Sequence, residues 1–402
     1  MHSEVAVEAV RAFVALVAAA GLFVLLARRL RLPDELVLLI VGLAAALVLP
    51  TRIEVTPELV LVVLLPGLVF EAAYQLRIGE LRRTLWAVGL LAIPGVLIGA
   101  VIVAVVLHFA MGMRPEIAFL VGAMVSATDP ASVVTAFRRV RAPAGLVTLV
   151  QGESLLNDGT GIVLFTLALQ VAAGQTSFGS AAAAVLVSVV GSTVIGLLLG
   201  VVASRLIATI DDFVVEITIS IALAYGAYVA ADAFALSGII ATVVAGITLG
   251  NYGQRIGMSE RTRNALDIVW STVAFVLTAL VFLLIGIAIR LDSLAEALAA
   301  LAWGAIAIAV GRAIVVYVMV GGASRLRRAL GHSEVPLPWL HVMFWSGLRG
   351  AVAVALALSL PLDLPERQIL QETVFGIVLL TIVVQGTSAP TVVRRMLGRS
   401  RP

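Results

Sequence analysis

The sequence predicts an all-α integral membrane protein of about thirteen transmembrane helices, and three observations carry that prediction. Of 402 residues, 61% are hydrophobic and only 13% charged, where a soluble domain carries roughly 25% charged residues. Leucine, valine, alanine and isoleucine fill runs of about 18 residues or more, enough to cross about 30 Å of hydrocarbon as a helix. Between the runs, short segments are alternately rich and poor in arginine. A soluble helical protein would need a polar stripe along most of its helices, and few of these runs have one.

Composition also excludes several kinds of chemistry. There is no cysteine, so disulfides, thiolate metal sites and cysteine catalysis are ruled out. All 27 basic residues are arginine, and the formal charge of +3 comes from arginines in short loops. They read as topology signals rather than as a nucleic-acid surface. The first apolar run follows no basic segment, so no cleavable signal peptide is expected. The four histidines, His2, His108, His332 and His341, are scattered and predict no metal site.

Taken in order, the spans cover approximately residues 6–27, 35–50, 58–75, 85–110, 116–137, 144–173, 179–208, 213–232, 236–250, 265–289, 294–322, 337–360 and 369–393. Arginine placement orients them. One side receives Arg28, Arg29 and Arg31, then Arg77, Arg82 and Arg83, then Arg138, Arg139 and Arg141, then Arg205. The same side takes Arg255, Arg261 and Arg263, Arg325, Arg327 and Arg328, and finally Arg394, Arg395, Arg399 and Arg401. The other side has Arg11, Arg52, Arg114, Arg290 and Arg367. The rich side is expected to be cytoplasmic, with the N-terminus outside and the C-terminus inside.

Two spans carry interruptions. In span 5, Ser126-Ala127-Thr128-Asp129-Pro130 breaks an apolar run. Pro130 has no N–H, clashes with the carbonyl of Ser126, and disfavours helical geometry at Asp129. In span 12, Ser346-Gly347-Leu348-Arg349-Gly350 puts two glycines and a charge at mid-span. Irregular backbone at membrane depth survives only inside protein or beside a water-filled cavity. The two spans lie seven apart, so they run in opposite directions, as in an inverted-repeat transporter.

Six ionisable residues lie well inside spans: Glu71, Asp129, Glu153, Asp158, Arg312 and Arg349. Each costs about 2.5–3.5 kcal/mol on insertion scales, so they must pair, face water or bind something. On one helix, Ser154 and Asp158 share a face, and Glu153 and Asn157 share the next. Hard oxygen donors of this kind suit a proton or an alkali cation rather than a soft transition metal. Interhelical packing explains Ser154 and Asn157 but not the acids. Four acids face two permanently charged arginines, leaving carboxylates without a fixed counter-ion, and Asp158 is the candidate. A carboxyl group in low dielectric resists standing bare, so proton and cation would compete for it.

At these residues the chain resembles the sodium/proton exchanger branch of the monovalent cation:proton antiporters, the cation/proton antiporter 1 or NhaP-like family. The resemblance rests on Phe70-Glu71-Ala72-Ala73, Ala127-Thr128-Asp129-Pro130, the Gly152-to-Gly159 stretch with its Asn157-Asp158 pair, and Gly347-Leu348-Arg349-Gly350-Ala351. It implies broken spans 5 and 12 crossing beside Asp158 and a homodimer. It implies a division into residues 1–83 (dimerisation domain, first part), 84–173 (ion-transport core, first part), 174–290 (linker helix and dimerisation domain, second part) and 291–402 (core, second part).

The resemblance further implies Na+ and H+ as transported substrates, no cofactor and no enzymatic activity. Asp158 would be the principal cation and proton ligand, with Glu71, Ser154 and the Thr128 carbonyl completing the site, and with Asp129 and Asn157 also in the cation- and proton-binding group. Glu153 would pair with Arg312, and Arg349 would offset the partial charge of broken span 12. Asn157 before the binding aspartate goes with electroneutral one-for-one exchange in this family. A multi-pass protein of a bacterial inner membrane is expected, surrounded by lipid and independent of nucleic acid.

Some alternatives stay open on sequence. Glu71 lies near the Arg77 end of span 3, where an acid can also snorkel to the interface. Asp211, Asp212 and Glu216 open span 8, where acids favour a helix N-terminus. Asp232 and Asp267 read as interfacial, and His341 as a candidate for tuning pH response. Oxygen ligands alone also admit a K+/H+ antiporter or a passive cation channel. An intramembrane aspartyl protease built on Asp129 and Asp158 lacks the expected Gly-x-Gly-Asp string.

Overall fold

The computed structural model describes residues 33–48, 58–172, 178–289, 297–331 and 333–398, with Gly174 and isolated positions between 14 and 29. Among the described residues the only regular secondary structure is helical. Most of span 1, together with Arg11, Arg28, Arg31, Arg52, Arg290, Arg399 and Arg401, lies outside the described set.

Spans 2 to 13 each coincide with helix. They are Asp34–Val48, Leu59–Gln75, a run from Ile78–Leu90 to Val96–Met111, the pair Pro115–Met124 and Ala131–Val140, and Ala144–Ala172. Next come Phe178–Ile207, Phe213–Asp232, a run from Gly238–Thr248 to Gln254–Ile256, and Glu260–Ala288. The last are Leu298–Ala329, the pair Leu337–Trp345 and Ala351–Leu358, and Arg367–Leu397. Helices dominate because lipid offers no partner for backbone N–H and C=O groups. Seven of these helices are individually long and apolar enough to cross a membrane; spans 5 and 12 are interrupted where Pro130 and the glycines foretell.

The sequence gives no hint of the π-helical stretches. Leu91–Gly95 and Ile314–Val320 occur in spans 4 and 11 and pack against one another. One contains Pro94, whose missing N–H is compatible with a locally widened turn.

Packing falls into two sets of contacts. Span 2 lies along span 10, span 9 along spans 3, 7 and 8, and span 8 also contacts span 7. Separately, span 4 packs on spans 5, 6 and 11, and span 13 packs on spans 5, 11 and 12. Small residues allow the closest approaches, as expected where lipid is as apolar as the helices. A Cβ at Gly286 would come within 2.7 Å of the Leu43 backbone nitrogen, and one at Gly122 within 3.0 Å of the Ala100 Cα.

The join between the two sets is held by polar contacts. Asn251 of span 9 accepts from the Ile78 N–H at 2.9 Å and donates to the Leu76 carbonyl at 2.8 Å, fixing the bend between spans 3 and 4. Within the second set, on the arginine-poor side, Arg114 pairs with Glu366 at 2.9 Å, linking the span 4–5 and span 12–13 connections.

Candidate cation site

The interruptions of spans 5 and 12 meet. The Asp129 N–H donates to the Leu348 carbonyl at 2.9 Å, so each break satisfies backbone left unpaired by the other. Gly350 makes the approach possible: a Cβ there would lie 2.5 Å from the Asp129 Cβ and 2.8 Å from its carboxyl carbon. Gly350→Ala therefore forces the breaks apart. We expect a loss of about 1–3 kcal/mol, the usual cost of overpacking, and slower transport. A variant as thermostable as the parent would mean that the crossing is looser than described here.

Each break leaves two helix ends facing each other, and the buried charges sit where those ends require them. Arg349 donates through Nε to the Val125 carbonyl and through a terminal nitrogen to the Gly347 carbonyl. Val125 and Gly347 follow Pro115–Met124 and Leu337–Trp345, so one guanidinium serves two C-terminal ends with their partial negative charge. Asp129 occupies the complementary place. It lies just before Ala131–Val140 and against Gly350, the residue preceding Ala351–Leu358, near two positive N-terminal ends.

Glu153 and Arg312 form the expected ion pair. Both side chains are buried, and the second guanidinium nitrogen donates to Glu153 Oε2 at 3.1 Å and to the Met343 carbonyl at 2.6 Å. The pair joins span 6 to span 11, and through Met343 to span 12. With Glu153 neutralised by Arg312, Arg349 and Asp129 answer the half-helix ends.

Asp158 stands apart from this arrangement. It is half-buried and lines a cavity of about 240 Å³ together with Glu71, Gln75, Thr128, Asp129, Gln151, Ser154 and Thr278. Among the described residues none hydrogen-bonds or ion-pairs with its carboxylate, although the charge of Asp129 is close enough to act on it. Ser154 donates to the Thr128 carbonyl at 2.6 Å, so both oxygens are held at the cavity wall one helical turn from Asp158. Glu71 faces the same cavity from span 3, where Gln75 donates to it. Among the described residues, acids do not converge three at a time on one point. The arrangement offers the Asp158 carboxylate beside neutral oxygens, with Glu71 and Asp129 elsewhere on the same wall and not converging on it, and hard oxygen donors so spread suit a monovalent cation.

The cavity has a direction. Exposed Ala72 and Gln75 mark its mouth, and Gln151 and Val134 line it on the arginine-bearing ends of spans 6 and 5. Toward the opposite ends, Met124, Leu164, Phe165, Leu284 and Leu356 are buried in one continuous cluster. The cavity that Asp158 lines therefore opens toward the arginine-rich ends of these spans.

Asn157 is not among the residues lining this cavity. Its amide nitrogen donates to Thr128 Oγ1 at 3.2 Å and to Glu153 Oε1 at 3.4 Å, and it lines a second, smaller cavity behind the crossing. Two other buried acids escape the sequence criterion. Glu216 is 1% exposed and Glu372 is 5% exposed, each within the first two turns of its helix. A position so near a span end reads as interfacial from sequence. Asp212 caps span 8, accepting from the Val214 and Val215 N–H groups, and His341 bonds to the Tyr317 hydroxyl at 2.8 Å, away from the cation cavity.

Comparison with known proteins agrees with this geometry. The family described as "Sodium/hydrogen exchanger, transmembrane" matches residues 13–395. The chain is 39% identical over 366 residues to the low-affinity Na+/H+ antiporter NhaS1 of Synechocystis sp., covering 90% of this chain and 69% of that protein. It is 35% identical over 387 residues to the Na+/H+ antiporter NhaH of Halobacillus aidingensis, covering 92% and 94%. In fold it resembles the sodium proton antiporter MjNhaP1 of Methanocaldococcus jannaschii, with a TM-score of 0.78, 20% identity, and 98% and 99% of the two chains covered. The chain belongs to the sodium/hydrogen exchanger family of multi-pass membrane transporters.

Proposed function

We propose that this protein exchanges Na+ for H+, one for one, by alternating access of a single site centred on Asp158. The observation that carries the reading is the Asp158 carboxylate itself. It faces a cavity open to one side, without a fixed counter-ion among the described residues, while the other buried charges of the crossing are engaged. A carboxylate so placed takes either a proton or a cation. Ser154, the Thr128 carbonyl and Glu71 complete the cation's oxygen shell, and Asp129 acts from beside it. Glu153, Arg312, Arg349 and Asn157 hold the frame. Relatives that are Na+/H+ antiporters by name support Na+ over K+.

Neutral Asn157 adds no second acid next to Asp158 in the chain, which supports electroneutral exchange. Spans 4–6 and 11–13 form the moving core, and spans 1–3 and 7–10 the part that stays and dimerises. The protein lies in a bacterial inner membrane, arginine-rich side and C-terminus in the cytoplasm, N-terminus outside.

The test is pH change inside proteoliposomes on addition of Na+ or K+. Sodium is expected to drive proton movement, with an apparent KM for Na+ that rises with proton concentration while the maximal rate holds. An imposed membrane potential should leave the rate unchanged. Potential-driven uptake would contradict one-for-one exchange, and currents without an opposing proton flux would point to a channel.

A further inference from the structure

Behind the crossing, spans 4, 5, 6, 11 and 12 line a second cavity of about 30 Å³, with Ser126, Thr128, Asn157, Arg312 and Arg349 among aliphatic side chains. Thr128 is the one lining residue it shares with the cation cavity. Two buried polar atoms of residues lining it have no partner among the described residues: Asn157 Oδ1 and Arg312 Nε. Asn157 is 2% exposed and Arg312 is 9% exposed. Leaving such groups unmet costs about 1–3 kcal/mol each.

We propose that this cavity is the site of a structural water that accepts from Arg312 Nε and donates to Asn157 Oδ1. The volume suffices, since a buried water needs roughly 10–15 Å³ measured this way and two to four polar partners. The chemistry selects water over an anion, despite two arginines nearby. The Asn157 nitrogen is identified by its approach to Glu153 Oε1, which as a carboxylate can only accept. The amide oxygen is therefore the atom left over, and it would repel an anion. One acceptor and one donor on the wall call for a ligand that is both.

The water closes a polar chain. From Thr128 Oγ1 it runs through the Asn157 amide and the water to Arg312, and on to Glu153. Asn157 thereby becomes a positioning residue. It holds the Thr128 side chain from behind while the Thr128 carbonyl faces Ser154. This site would exist whatever ion the protein carries, so its test is structural.

The experiment is a density map of the full-length protein at a resolution that shows ordered waters, in chloride and again in bromide with anomalous diffraction. The expected result is one peak within hydrogen-bonding distance of both Asn157 Oδ1 and Arg312 Nε, with no bromine signal. Continuous solvent-free density there, or bromine at that position, would overturn the proposal. In Asn157→Leu, which removes the acceptor, the peak should vanish with the Glu153–Arg312 pair still formed; a peak unchanged in that variant would also overturn it. If that variant does not fold, the wild-type maps decide alone.

Discussion

Asp158→Asn is expected to reduce Na+-dependent proton movement to the level of protein-free liposomes while the protein folds normally. Asparagine keeps the shape of the side chain and an oxygen for the cavity, but it binds no proton and brings no charge to a cation. Both half-reactions are lost together. Folding should not suffer, because among the described residues the carboxylate makes no ion pair whose partner would be stranded. Removing an uncompensated charge from a low-dielectric site also removes its desolvation cost. The melting temperature of the purified variant should equal or exceed that of the parent. Exchange retained in the Asp158→Asn protein would move the site elsewhere, and neither Glu71 nor Asp129 could then be regarded as an accessory to it.

The opposite pattern is expected at Glu153. Glu153→Ala leaves the Arg312 guanidinium buried with the Met343 carbonyl as its remaining acceptor among the described residues. Breaking a buried pair from one side costs about 3–5 kcal/mol, much of it from the charge left behind. The variant should melt far below the parent or fail to accumulate. Replacing both partners with apolar residues, Glu153→Leu with Arg312→Met, should recover much of that loss, since a buried pair exchanged for packed hydrocarbon is often neutral in stability. A thermal-melting double-mutant cycle measures the coupling directly. A single variant as stable as the parent would show that the guanidinium finds another acceptor.

Much of the framework was readable from residues alone, because membrane depth makes polar atoms expensive and so informative. Pro130 and the pair Gly347 and Gly350 located both breaks, whereas the pairing of Glu153 with Arg312 came from the family resemblance, residue types alone saying only that buried acids and arginines must find partners. What escaped depends on three-dimensional direction. Glu153 and Asn157 share a helix face, as spacing requires, but spacing could not say that this face points at Arg312 and away from the cation cavity. Arg349 was expected at one helix end and occupies two, since only the crossing brings Val125 beside Gly347. The π-helical stretches in spans 4 and 11 have no composition of their own. Glu372 and Glu216 were hidden because depth along a helix was counted from its end, whereas their burial comes from neighbouring elements.

The contacts at the crossing bear on how Asp158 changes sides. The Asp129 amide is bonded to Leu348, the Arg349 side chain to Val125, and Glu153 to Arg312. Each link ties the earlier stretch of chain, spans 5 and 6, to the later one, spans 11 and 12. Sliding either stretch past the other would break two buried hydrogen bonds and one buried ion pair in a medium that cannot solvate the groups released. If Asp158 alternates between the two sides as proposed, the crossing should travel with it as one solid piece.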